Sequence, residues 1–190
     1  MIPHWNNQGV LPPVRPEMPG HTFDRSPYII TLLDAIEHFS SSPERMVLLQ
    51  GLLQFRAELH AMGVVTGFQW LDGSFLEQVE LLEARAPADI DVVSYFYLPP
   101  GKTESEVADM NPMLFDQDWV KASFHVDHYS FVLGKALDAF QIRQISYWYS
   151  MWSHRRDGLW KGFLQIDLDP AEDEPALQAL TSKLRAGGLI

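Results

Sequence analysis

The chain contains no cysteine among its 190 residues, so neither a disulfide nor a thiolate metal site can form. That absence agrees with a reducing compartment, and a cytoplasmic location is the expectation. No apolar run is long enough to cross a bilayer, and the opening Met1-Ile2-Pro3-His4-Trp5-Asn6-Asn7 lacks the basic stretch and apolar core of a secretion signal. A membrane partner is therefore not expected. Basic residues are also scarce: 14 Lys and Arg stand against 25 Asp and Glu, for a net charge of −11. Such a surface repels polyanions, so non-specific nucleic-acid binding is not expected. The same excess has a second reading, since carboxylates gathered around a divalent cation add to the negative count without lying on the solvated surface. Repeats and low-complexity tracts are missing too, and a chain of this length suits one domain that buries roughly 70% of its unfolded surface.

What is present divides into an arm and a domain. Residues 1–25 are rich in Pro, Gly and Asn and show neither period, which predicts an extended arm packed on a single domain spanning 26–190. Ser26-Pro27 supplies a helix start, with Ile29, Leu32, Leu33 and Ile36 at helical spacing behind it. Ser42-Pro43-Glu44 repeats that signal, and Leu48, Leu52, Phe55, Leu59 and Met62 carry the second helix to Gly63. A β run through Val64, Val65, Phe68, Trp70 and Leu71 then stops at Asp72-Gly73-Ser74. Phe75 to Glu83 has helical spacing, Ala86-Pro87-Ala88 breaks it, and Ile90 to Tyr97 reads as a strand. A polar helical excursion leads to a third β run, Phe124 to Leu133. Beyond it the pattern predicts a helix around Ala136 to Met151, a strand around Leu159 to Leu168 and a helix from Ala171 to Arg185. The expected class is α+β (or α/β), with a mixed or antiparallel sheet flanked by helices.

The chemistry-bearing pattern begins at Asp89-Ile90-Asp91. On a strand, side chains at i and i+2 share a face about 6.5 to 7 Å apart at Cα, while Ile90 turns to the core. If the run holding Asp127 pairs with this strand, a third carboxylate stands within about 5 Å of a neighbour. Three acids so close drift toward neutrality unless a cation offsets the repulsion. Mg²⁺, or Mn²⁺, suits such hard oxygens and is commonly shared with substrate phosphates. At Gly73-Ser74 a glycine turn leading into a helix exposes backbone N–H groups, and the serine hydroxyl adds a donor for phosphate. Together these parts describe transfer of a nucleotide from a nucleoside triphosphate.

In their order (strand, Gly-Ser turn, short helix, Asp-x-Asp strand, later single Asp) these elements resemble the polymerase-β-like nucleotidyltransferases across roughly Val64 to Leu133. The opening Ile2-Pro3, Asn6 and Gly9-Val10-Leu11-Pro12-Pro13, the turn Leu71-Asp72-Gly73-Ser74-Phe75, Ala88-Asp89-Ile90-Asp91 and Trp160-Lys161-Gly162 extend the likeness to a family of small bacterial and phage nucleotidyltransferase-like proteins. The resemblance implies that Gly73 and Ser74 match the phosphate turn, Asp89 and Asp91 the metal pair, and Asp127 the third acid. It also implies an NTP substrate, an acceptor hydroxyl on a small molecule, a protein or an RNA end, and a toxin, antitoxin or phage-defence setting with a possible protein partner. The stretch from Ser74 to Asp89 is longer than in minimal members and carries Glu77, Glu80 and Glu83. A catalytically silent nucleotide-binding or partner-binding module is the alternative.

Other residues weigh less. Lys161, beside Gly162 in the β run, is the basic residue expected to reach the cleft, whereas His154-Arg155-Arg156-Asp157-Gly158 reads as a solvated hairpin tip. His125 caps a strand or orients an acceptor, and His128 faces away from Asp127. Tyr147, Trp148, Tyr149, Trp152 and Trp160 could stack a base but more often form core. Asp167 and Asp169-Pro170 read as a turn and helix start.

Overall fold

A computed structural model describes residues 1–190 as an α+β fold with seven helices and one open, mixed, five-stranded sheet. The strands are β1 (Tyr28–Ile29), β2 (Gly67–Asp72), β3 (Ile90–Phe96), β4 (Val126–Val132) and β5 (Leu164–Asp167), in the order β1-β5-β2-β3-β4. β2 runs antiparallel to both β3 and β5, while β3 and β4 are parallel. The helices are α1 (Leu32–Phe39), α2 (Pro43–Ala61), α3 (Val79–Leu82), α4 (Glu104–Met110), α5 (Gln117–Phe124), α6 (Ala139–Trp152) and α7 (Asp173–Ala186). None is long and apolar enough to cross a membrane.

Strand alternation gives the sheet two unlike faces. On one, Phe55 and Arg56 of α2 meet His128, Gln69 and the end of β5, with α1, α5 and α7 packed around α2. On the other, Trp70 sits 4.7 Å from Tyr95 and 5.2 Å from Phe163. α6 covers that second face through Trp148, 4.4 Å from Tyr129, and Trp152, 6.0 Å from Phe163. These tryptophans are buried at the i, i+4 spacing, whereas Tyr147 and Trp160 are exposed.

Three expected elements form differently. The first helix starts at Leu32, not behind Ser26, because Ser26-Pro27-Tyr28 is drawn to the sheet edge: Ser26 Oγ accepts from Phe163 N at 2.8 Å and Tyr28 N donates to the Phe163 carbonyl at 3.0 Å. Thr31 and Asp34 then supply a full capping box. The predicted helix from Phe75 to Glu83 splits into a 3₁₀ turn, Ser74–Leu76, and the single turn α3. Arg45 of α2 causes the split, since its buried guanidinium donates to the Phe75 and Glu77 carbonyls, each at 2.6 Å, taking acceptors a helix would use. The strand predicted from Leu159 shortens to Leu164–Asp167, because Lys161 N is spent on the Ser153 carbonyl and Gly162 N on the Leu11 carbonyl. In contrast, α2 begins at Ser42-Pro43 and ends before Gly63 as expected.

The arm carries no helix and folds back on itself through a single bridge between Val14 and Arg25, yet Ile2, Val10 and Leu11 are buried. Trp5 Nε1 donates to the Leu76 carbonyl at 2.7 Å, and Gln78 N donates to the Gly9 carbonyl at 2.8 Å.

His128 is a core residue on the α2 side, 3.1 Å from Ser94 Oγ. Burial pushes its imidazole down to about 3, against a partial offset from the Leu114 carbonyl. A histidine depressed in the fold binds its proton preferentially in the unfolded chain, so its contribution to stability is lost as pH falls below about 6.5. Between pH 7.5 and 5, the loss of stability should be about 2 kcal/mol larger in the wild type than in His128→Gln. Urea unfolding at the two pH values checks it; equal pH dependence in both proteins would refute the assignment.

Candidate functional site

β2, β3 and β4 carry one row of acids. In the antiparallel pair Asp72 is the register partner of Asp91, and in the parallel pair Asp91 is the partner of Asp127. All three therefore stand on the α6 side of the sheet, on neighbouring strands about 4.8 Å apart. Asp89 lies just before β3, its side chain 17% exposed. The structure thus brings Asp89, Asp91 and Asp127 to one cleft, which Gly73 and Ser74 also line.

Gly73 is held against this row. It has φ 87° and ψ −171°, a region open essentially to glycine alone, and a Cβ there would lie 1.8 Å from Asp91 Oδ2. The glycine's role is close approach: its missing side chain is the space in which the Asp91 carboxylate sits. The chain continues from Gly73 into a 3₁₀ turn. The expected helix N-terminus is therefore absent at this place, and the phosphate-binding capacity of the turn rests on the Ser74 hydroxyl and neighbouring cations.

The acids are electrostatically stressed. Burial first, then Asp89 and Asp127, push the Asp91 carboxyl up to about 6, and no ion pair reaches it. Burial pushes Asp72 up to about 7, with Lys161 opposing. Lys161 is itself buried, donating to Glu77 Oε1 at 2.9 Å and lying 3.0 Å from Asp72 Oδ1. It reaches the cleft, though from the loop before β5, and its charge is committed to two buried acids. The three glutamates of the long connection each have a basic partner: Glu77 with Lys161, Glu80 with Arg45 and Glu83 with Arg85.

Two participants stand in the site beyond the expected residues, Lys121 and Asp72. Lys121, on α5, places its ammonium 2.5 Å from Asp89 Oδ2 and 3.2 Å from Asp127 Oδ2. A single lysine on a helix ahead of a strand carries no signal of such a contact. Asp72 ends a strand before a glycine turn, and the only clue to its place in the row is strand parity. The basic cluster also differs from a solvated hairpin tip: His154, Arg155 and Arg156 line the cleft of about 590 Å³ opposite the acids. Arg155 pairs with Asp157 at 2.6 Å and approaches Glu77 at 3.8 Å, while Arg156 is exposed and makes no ion pair. His125 sits outside the cleft lining as the left-handed C-cap of α5. Asp169 caps the turn before α7, as expected.

The donor set of carboxylate oxygens fits a hard divalent cation. As arranged, however, no three acid or histidine side chains converge on one ion, and Lys121 lies between two of the acids.

Residues 3–167 match a family of unknown function, DUF6932. The chain belongs to that family. Neither the curated proteins nor the solved structures contain a match to this DUF6932 member.

Proposed function

We propose that this DUF6932 protein is a polymerase-β-type nucleotidyltransferase, moving a nucleoside monophosphate from an NTP to an acceptor hydroxyl with release of pyrophosphate. The observation that carries the reading is the register match of Asp91 with Asp127, beside a glycine whose missing Cβ makes room for the Asp91 carboxylate. Sequence order adds support, because the strand, Gly-Ser turn, Asp-x-Asp strand and third acid come in the order that the superfamily uses.

Asp89, Asp91 and Asp127 would hold Mg²⁺ or Mn²⁺, which supplies charge stabilisation for the α-phosphate and the leaving pyrophosphate. Ser74 and Arg156 bind the β- and γ-phosphates on the wall that Arg155 and Lys161 also line, where Arg156 is the basic residue without an ion pair. Asp127, 24% exposed at its side chain, faces the solvent side of the row and takes the acceptor proton as the acceptor oxygen bonds to the α-phosphorus. The bond to the β-phosphate oxygen breaks, and pyrophosphate leaves along the basic wall. The acceptor is a small molecule, a protein hydroxyl or an RNA end, in keeping with a mixed-charge cleft around the acids.

A second reading is favoured by the Lys121 bridge and by the lack of a ready three-acid ion site: a catalytically silent module that binds nucleotide or a partner protein. Incubation with α-labelled NTP, Mg²⁺ or Mn²⁺ and cell extract separates the two. Label on an acceptor is the expected result and also reports the acceptor's class. Calorimetric NTP binding with no transfer in any extract would reject the enzyme in favour of the module.

A further inference from the structure

We infer that Lys121 is a resident counter-ion of the acid row, occupying the position between Asp89 and Asp127 that a divalent cation takes only by displacing it. The inference rests on the proposed reading of the cleft and adds a residue that this reading did not contain.

Two lysines serve the acids, and they differ in freedom. Lys161 is 5% exposed at its side chain and held between Asp72 and Glu77, so its removal would strand buried charge. Lys121 is 48% exposed and reaches the row from the solvent side on a flexible four-carbon stem. An ammonium with this exposure is rehydrated as it swings outward, so leaving costs little.

Geometry makes the competition direct. Asp89 enters from the loop before β3 and Asp127 from β4; the Lys121 ammonium lies within 3.2 Å of an oxygen on each. A dication using either oxygen would stand against a positive charge at contact distance. The two cations exclude each other. Asp91, the register partner of Asp127 and without an ion pair of its own, is the anchor left available to an arriving ion. Displacement couples ion entry to release of a cationic side chain at the cleft mouth, where it can meet the phosphates of an incoming nucleotide.

The test is Mn²⁺ titration of the full chain at pH 8, read by electron paramagnetic resonance, for wild type, Lys121→Met and Lys121→Arg. Lys121→Met should bind Mn²⁺ roughly threefold to fivefold more tightly, the factor expected when a half-exposed ion pair no longer competes. Lys121→Arg keeps the charge and should stay near the wild-type affinity, which a merely structural role for the lysine would not predict. Thermal melts should show a larger Mn²⁺-induced stabilisation in Lys121→Met, and Lys121→Gln replaces that variant if it fails to fold. Equal or weaker Mn²⁺ binding by Lys121→Met, with binding intact in the wild type, overturns the displacement and leaves the proposed function standing. Absence of Mn²⁺ binding in all the proteins overturns both.

Discussion

Replacing Asp89 and Asp91 together by asparagine is expected to lower metal-dependent label transfer by on the order of 10³-fold or more, with no loss of thermal stability. The two effects separate because the row opposes folding at neutral pH. Asp91 is pushed up to about 6 by burial and by its two acidic neighbours. A carboxyl raised in this way holds its proton better in the fold than in the unfolded chain, so stability declines as pH rises from about 4 to 6. Asparagine keeps the side-chain volume and removes that penalty. Lys121 loses its Asp89 partner in the variant, but a half-exposed ammonium retains water and Asp127. A melting temperature equal to or above the wild type, together with lost transfer, is the signature of acids kept for chemistry. Undiminished transfer would remove these residues from any catalytic role.

Gly73→Ala is expected to destabilise the protein by about 3–5 kcal/mol, combining backbone strain with a collision that packing cannot relax. The added methyl carbon would lie 1.8 Å from Asp91 Oδ2, and the φ of 87° is itself hostile to alanine. Gly101→Ala separates the two causes, since its φ is 76° and nothing lies within 4 Å of the new carbon. That control should cost only about 1–2 kcal/mol by urea unfolding. Introducing Gly73→Ala into an Asp91→Ala background should recover the difference. If the penalty is the same with and without the Asp91 carboxylate, the close approach is not what holds the glycine in place.

The sheet's central strands are legible in the sequence because each has a boundary with a chemical cause. β2 ends at Asp72 before a glycine held at φ 87°, and β3 starts after Ala86-Pro87-Ala88, whereas the run expected from Phe124 begins as a strand only at Val126, because Phe124 closes α5 and His125 is its left-handed C-cap. Carboxylates two apart around Ile90 are legible because strand parity is strict, and the convergence with Asp127 needs only that β3 and β4 pair. The features that escape local pattern are long-range. Arg45 reads as an ordinary residue on a helix, yet its reach to two carbonyls 30 and 32 residues away decides that Phe75 to Glu83 is not one helix. Ser26-Pro27 carries a genuine local start signal that hydrogen bonds to Phe163 override. Lys121 meets the acids only once α5 and β4 have folded back on the Asp89 loop. The Arg155-Arg156 pair reads as a turn tip, which it is locally, because nothing in five residues tells which way a hairpin leans.

The stitching of the arm has a practical reach. Leu76 and Gln78, which continue the chain out of the Gly73 turn, borrow a partner each from Trp5 and Gly9, and the backbone after Lys161 is tied to Leu11. Both sides of the cleft are thus moored to one irregular strip near the amino end. Trimming that strip as dispensable would unfasten the jaws from each other while leaving the sheet's hydrogen bonds intact.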